Sequence, residues 1–171
     1  MSQTEAPVTT VHERLVRAKA ASRVIARLSG AEKTRVLNAI ADALVDATAS
    51  IVAANGDDLE RGASTGLATG LLDRLRLDEA RVAALAAAVR EVAVLPDPIG
   101  EVVRGHRSPA GVAIEQVRVP FGVIGAIYEA RPNVTVDIAA IALRSGNAVV
   151  LRGGTAAEAS NAVLVAVMRD T

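Results

Sequence analysis

Between residues 119 and 161 the chain carries two short apolar runs, each followed by a helix signal, and that order leaves few folds open to it. Phe121–Tyr128, with glycines at 122 and 125, has the length and composition of a parallel strand covered on both faces. Pro132 then opens a helix, where its missing N–H costs nothing because the first helical amides have no partner in the helix. Val134, Ile138, Ile141 and Ala142 recur at helical spacing as an apolar side, and Gly146 stands where a left-handed terminating residue belongs. Ala148–Leu151 reads as a second buried strand. Thr155 and Glu158 have the spacing of a capping box, which starts another helix near Ala156. A βαβ unit takes about 30 residues and its crossover is right-handed, so the two strands run parallel with both following turns at one edge. Ligands bind at that edge in open α/β sheets.

The remainder prepares for this unit. Residues 1–10 are polar and read as a mobile lead. Val11–Leu28 is an amphipathic helix with Val11, Leu15, Ala18 and Ile25 on one face and Arg14, Arg17, Arg23 and Arg27 on others, expected to pack on the body of the protein. Ser29 and Glu32 make a capping box ahead of a helix buried through Leu37, Ile40, Ala41 and Leu44. Thr48–Asn55 reads as a short helix ended by Asn55-Gly56, and residues 57–70 as a weak helix inside loops. Asp78 caps a helix with the stripe Val82, Leu85, Val89 and Val92, stopped by Pro96 and Pro98. Residues 11–97 thus form a helical layer.

After Pro98 come two strand-like segments, Glu101–Arg104 and Val112–Val119, with a bulge expected near Glu115-Gln116. A hairpin over residues 98–119 has little core of its own and is expected to pair with another subunit or a distant part of the protein. Two parallel strands do not make a stable sheet alone, so the expected class is α/β with an incomplete sheet: the N-terminal portion of a longer protein.

Nineteen basic residues balance nineteen acidic ones, and Phe121 and Tyr128 are the only aromatics, which argues against a nucleic-acid partner. No run approaches the ~18 apolar residues of a membrane helix, and the lead is no secretory signal, so a cytoplasmic location is expected. The chain has no cysteine, hence no thiolate nucleophile or thiolate metal site.

Two clusters remain as candidates for chemistry. No G-x-G-x-x-G follows Tyr128 and there is no P-loop lysine. Arg152, Gly153, Gly154 and Thr155 close the second strand: either a seat for an anionic group of a nucleotide, or an ordinary capped turn. Tyr128-Glu-Ala-Arg-Pro-Asn133 closes the first. There the Asn133 amide can donate to a developing oxyanion or cap a helix, and Arg131 can hold a carboxylate or phosphate or be merely solvated. His12, His106 and Asp137 read as structural.

Over Val119–Asp137, containing YEARPNVTVD, and Ser145–Gly154, followed by Ser160-Asn161, the sequence closely resembles the gamma-glutamyl phosphate reductase family of the aldehyde dehydrogenase superfamily. Ala53–Asp58 and Leu72–Leu75 are similar as well. The resemblance implies an aldehyde dehydrogenase-like architecture: a cofactor domain to which residues 11–97 and 120–171 belong, a hairpin at 98–119 joining subunits of a homo-oligomer, and a catalytic domain outside this chain. It implies NADPH-dependent reduction of L-glutamyl 5-phosphate to glutamate 5-semialdehyde, in proline biosynthesis. Asn133 would be the oxyanion donor, and Arg131 stands as the candidate substrate contact. Arg152, Gly153, Gly154 and Thr155, with backbone groups of Ile127 and Tyr128, would contact NADP(H), the neutral Thr155 leaving room for a 2'-phosphate. The nucleophilic cysteine would lie outside the chain, leaving it inactive alone. The rival readings are a non-catalytic nucleotide-binding or assembly module and another acylating aldehyde dehydrogenase.

Overall fold

The computed structural model describes residues 10–171, so the expected lead lies, Thr10 apart, outside the described residues. Thr10 belongs to the fold. Its hydroxyl accepts from the Glu13 amide at 3.2 Å while the Glu13 carboxylate accepts from the Thr10 amide at 2.7 Å, a capping box that opens α1, Val11–Ile25. Helix α1 rests against both strands of the parallel sheet through its C-terminal half, where Ser22 is buried. Val11 and Leu15, expected on its packed face, remain exposed.

Helix α2, Gly30–Asp46, starts at the expected Ser29–Glu32 box and buries Leu37, Ile40, Ala41 and Leu44. Helix α3 runs Thr48–Ser64, straight through the Asn55-Gly56 pair expected to end it. Tertiary bonding overrides the turn signal. The Asn55 side chain donates to the Leu75 carbonyl at 2.8 Å and to Ser160 Oγ at 3.0 Å, and accepts from the Leu77 amide at 2.7 Å. The stop comes ten residues later at Gly66, whose φ of +77° permits the Leu67 amide to bond back to Gly62 at 2.9 Å. Helix α4, Thr69–Leu75, is short. Helix α5, Glu79–Val94, is capped by Asp78 at 2.8 Å and buries Val82, Leu85 and Val89, while Val92 is only partly covered.

Strands β1, Val102–Arg107, and β2, Ala113–Val117, form the antiparallel hairpin. The register shifts between Val102 and Arg104, so the irregularity lies on the first strand and not at Glu115-Gln116. Every residue of both strands is exposed. A buried cluster anchors the hairpin's root. Lys33, 1% exposed, holds Asp97 at 2.9 Å, Asp97 accepts from the Ile99 amide at 3.1 Å, and Arg144 donates to Gly30 O at 3.2 Å and to the Leu95 carbonyl. Burial alone would raise the Asp97 carboxyl. The Lys33 ammonium, the Ile99 amide and the Arg144 charge outweigh it and hold Asp97 below the usual carboxylate range.

Strands β3, Val123–Ile127, and β4, Ala148–Arg152, are parallel neighbours in register from Val123 opposite Ala148 to Ile127 opposite Arg152. Helix α6, Asn133–Arg144, crosses between them and packs on β4 and on α2, α5 and α7. Gly146 follows it at φ +74°, as expected. The α6 face expected to be apolar is rotated: Thr135, Val136 and Ala140 go inward with Ala142, while Ile141 is 57% exposed. The strand expected from Phe121 begins only at Val123, leaving Phe121 91% exposed ahead of it, and the strands are less covered than expected for a parallel sheet because each has a single neighbour, Ile127 standing 80% exposed. A short 3-10 turn, Thr155–Ala157, precedes helix α7, Glu158–Asp170. One hydrophobic core, from Leu37, Leu44, Ile51, Val82, Leu85, Val89, Val136 and Leu164, joins α2, α3, α5, α6 and α7.

Candidate functional site

Parallel pairing of β3 with β4 brings the two expected clusters to one edge. The Tyr128 amide donates to the Arg152 carbonyl at 3.1 Å, continuing the ladder by one residue. That amide, expected to line the cofactor groove, is thereby used within the fold. A chain of side chains ties the turns together further. Thr135 Oγ1 donates to Asn161 Oδ1 at 2.6 Å, so its one hydrogen is committed and the Tyr128 hydroxyl at 2.5 Å must be the donor to it. Thr135 is fully buried. The first turn of α6 and the first turn of α7 are therefore joined directly by the Thr135–Asn161 bond, and the Tyr128 hydroxyl ties the turn after β3 to the same point.

The turn after β3 leaves its charged groups free. Arg131 is exposed, and no hydrogen bond or ion pair engages its side chain among the described residues. Asn133 opens α6, and its side-chain amide donates to Asp137 Oδ2 at 3.0 Å, one turn on. Burial pushes the half-buried Asp137 carboxyl above its ordinary range, and the Asn133 amide offsets part of that. One N–H of Asn133 is thus engaged, and the other has no partner among the described residues. His12 and His106 lie exposed and apart from this edge's two clusters in sequence and element.

The turn after β4 differs from expectation. Thr155 and Glu158 make no capping box: Thr155–Ala157 is a 3-10 turn, and neither it nor α7 has a local side-chain cap. The amides opening α7 instead meet Asp58 of α3, with Ala159 N at 3.1 Å and Ser160 N at 2.8 Å. The glycines also serve the fold itself. A Cβ on Gly153 would stand 2.4 Å from Asn161 Nδ2 and 3.2 Å from the Tyr128 ring, and one on Gly154 would stand 3.3 Å from the Glu129 backbone. They admit the neighbouring turn to close approach. What faces outward here is Arg152, exposed and without a side-chain partner among the described residues, with exposed Thr155 and the exposed apolar side chain of Ile127, Arg152's partner in register.

Asp58, Thr135 and Asn161 had no assigned role in the sequence. Among the described residues no His/Cys/Asp/Glu group is arranged to hold a metal. A shallow depression lies toward the other end of α7, between Ala43, Ala47, Val163 and Val167, away from both clusters.

No protein-family model matches the chain. Among solved structures, a salicylaldehyde dehydrogenase from Pseudomonas putida G7 aligns with 93% of the chain at TM-score 0.69 and 19% identity, covering 31% of that structure. An NADP-dependent glyceraldehyde-3-phosphate dehydrogenase from Bacillus halodurans, solved with NADP, aligns with 94% of it at TM-score 0.61 and 22% identity, covering 32% of that structure. At those identities the likeness shows fold alone, and the fold is of the aldehyde dehydrogenase class. The gamma-glutamyl phosphate reductase of Thermotoga maritima superposes far more closely, at TM-score 0.90 and 38% identity over 93% of this chain and 38% of that one. That of Kineococcus radiotolerans is 62% identical over an alignment of 165 positions that covers 94% of the chain and 38% of the relative. The chain is a homologue of the gamma-glutamyl phosphate reductases, and it spans about 38% of the length of the relatives it matches.

Proposed function

We propose that the chain forms the adenosine-side wall of a dinucleotide groove in an NADPH-dependent reductase that converts L-glutamyl 5-phosphate to glutamate 5-semialdehyde and phosphate, in proline biosynthesis. The observation that carries this reading is the shared edge: two parallel strands end side by side, and the turns bearing Asn133 and Arg152 are tied by the Tyr128–Thr135–Asn161 bonds. The residues present suit the cofactor's adenosine half. Ile127 offers an apolar surface, Arg152 an unpaired guanidinium for a ribose phosphate, and Thr155 a neutral neighbour that does not repel one. Gly153 and Gly154 contribute by keeping the Arg152 turn close to Tyr128 and Glu129.

When bound, NADPH supplies the hydride. Asn133, with one N–H still free, is placed at the same edge to donate to the acyl oxygen as charge develops, and Arg131 to meet an anionic end of the substrate. The chain has no cysteine, so a thiolate acyl step draws its nucleophile from outside these 171 residues, and the chain alone turns over no glutamyl phosphate. A cytoplasmic location fits the reaction; no single described helix is long and apolar enough to cross a membrane. The exposed β1–β2 hairpin is the surface through which copies of the protein pair into a homo-oligomer.

The test is binding of NADPH and of its adenosine half, 2',5'-ADP, to the chain by calorimetry. Both are expected to saturate one site, and Arg152→Glu is expected to weaken both by roughly tenfold, ~1.4 kcal/mol. Unchanged affinity in the variant would remove Arg152 from the groove. Failure of the unaltered chain to bind either compound would remove the groove itself.

A further inference from the structure

A helix that begins just after a parallel strand presents free amides and a positive dipole end, and is by default the seat of a ligand's anion. In α7 that seat is already filled. Asp58, fully buried on α3, accepts from Ala159 N at 3.1 Å and from the Arg61 guanidinium through Oδ1, and from Ser160 N at 2.8 Å and Ser160 Oγ at 2.7 Å through Oδ2. The carboxylate comes from about 100 residues upstream in the chain, where no local cap is available. Its neighbours on α3 at three-residue spacing extend the same grip. Asn55 donates to Ser160 Oγ at 3.0 Å, and Arg61 reaches the Thr155 carbonyl at 3.4 Å. One face of α3 therefore holds the 3-10 turn and the first turn of α7 together.

We propose that Asp58 is a positioning residue for the dinucleotide: an internal anion that closes the α7 amides to the cofactor and fixes the β4–α7 turn so that Arg152 and Thr155 meet the adenosine side. This rests on the reading of Arg152 and Thr155 as cofactor contacts. It assigns recognition of the ligand's charge at this turn to the Arg152 side chain and none of it to the helix amides. It also makes the turn rigid before any ligand arrives, because the buried carboxylate has every bonding direction taken by the protein.

The experiment compares Asp58→Ala with Leu44→Ala, a core variant that touches none of these groups, in calorimetric titrations of 2',5'-ADP with the melting temperature read alongside. Asp58→Ala is expected to bind 2',5'-ADP roughly tenfold more weakly or worse, the scale of misplaced binding groups. Leu44→Ala, destabilised at least as much, is expected to bind as the unaltered chain does. Added acetate should restore both affinity and melting temperature to Asp58→Ala by refilling the seat between the Ala159 and Ser160 amides. Should Asp58→Ala prove too unstable to titrate, Asp58→Asn, which keeps the volume and one acceptor, is read instead and should show the same loss. Wild-type affinity in the Asp58 variant, an equal loss in Leu44→Ala, or no recovery with acetate overturns the proposal. Absence of 2',5'-ADP binding by the unaltered chain is a different result, the failure of the groove reading, and this inference falls with it.

Discussion

Leu44 of α2 is closed off from solvent entirely, whereas Ile114 of β2, a side chain of the same size, keeps 46% of its surface in water. Neighbouring residues repeat the contrast. Leu37, Ile51, Val82 and Val89 vanish into the helical body, while Val102, Val103, Val112 and Val117 line an exposed hairpin. Both regions carry large aliphatic side chains in sequence. What separates them is whether a second element lies within reach to cover the face. Five helices pack around one core, but a two-stranded ribbon has no layer of its own to bury against. The body covers its apolar faces within this chain, and the hairpin leaves its own in water.

The largest expected effect falls at the body's centre. Leu44→Ala removes a closed-off side chain among rigid neighbours and is expected to cost about 3–4 kcal/mol in urea unfolding. A loss below about 1 kcal/mol would mean that the core collapses around the gap, which close-packed interiors resist.

A smaller effect is expected where body and hairpin meet. Asp97→Ala leaves the Lys33 ammonium buried without its partner, and since Asp97 itself keeps some contact with water, the cost is about 2 kcal/mol at neutral pH. The sign of its pH dependence follows from the direction of the shift. Asp97 is held below its unfolded value, so its contribution is present above the ordinary carboxylate range and fades as pH falls through the lowered folded value. Stability curves of the two proteins against pH should therefore converge in acid. Curves that stay parallel would show that Asp97 acts by packing and not by charge.

The same contrast separates what was legible in the sequence from what was not. Helices whose buried stripes and caps are local, α2 from Ser29 and α5 from Asp78, stand as read, because propensity, period and cap agree. The parallel pairing of β3 and β4 was legible too, since the crossover rule admits little else. Misreadings occur where a distant residue decides. Asn55-Gly56 has the chemistry of a helix stop, but bonds to Leu75, Leu77 and Ser160 carry α3 past it. Thr155 and Glu158 have the spacing of a capping box, but Asp58 takes the amides they would serve. That the two clusters meet at one edge was legible from the parallel order of β3 and β4, and the bonds among Tyr128, Thr135 and Asn161 were not, because no period links a turn residue at 128 with positions 135 and 161 on two different helices.

The smallest expected effect tests the hairpin. Ile114→Thr keeps the β-branch that suits a strand and exchanges one methyl-bearing arm for a hydroxyl on a face already in water. At concentrations low enough to keep the chain monomeric, its unfolding free energy should move by less than about 0.5 kcal/mol, the range of surface changes. At high concentration the two proteins should part. If the hairpin is where copies pair, sedimentation should show the unaltered chain associating and Ile114→Thr doing so more weakly. A loss of stability in the monomer comparable to that of Leu44→Ala would mean instead that β1 and β2 are buried against this chain's own body in solution. Equal association of both proteins would move the pairing surface elsewhere, with exposed Phe121 and Ile127 at the open sheet the next place to look.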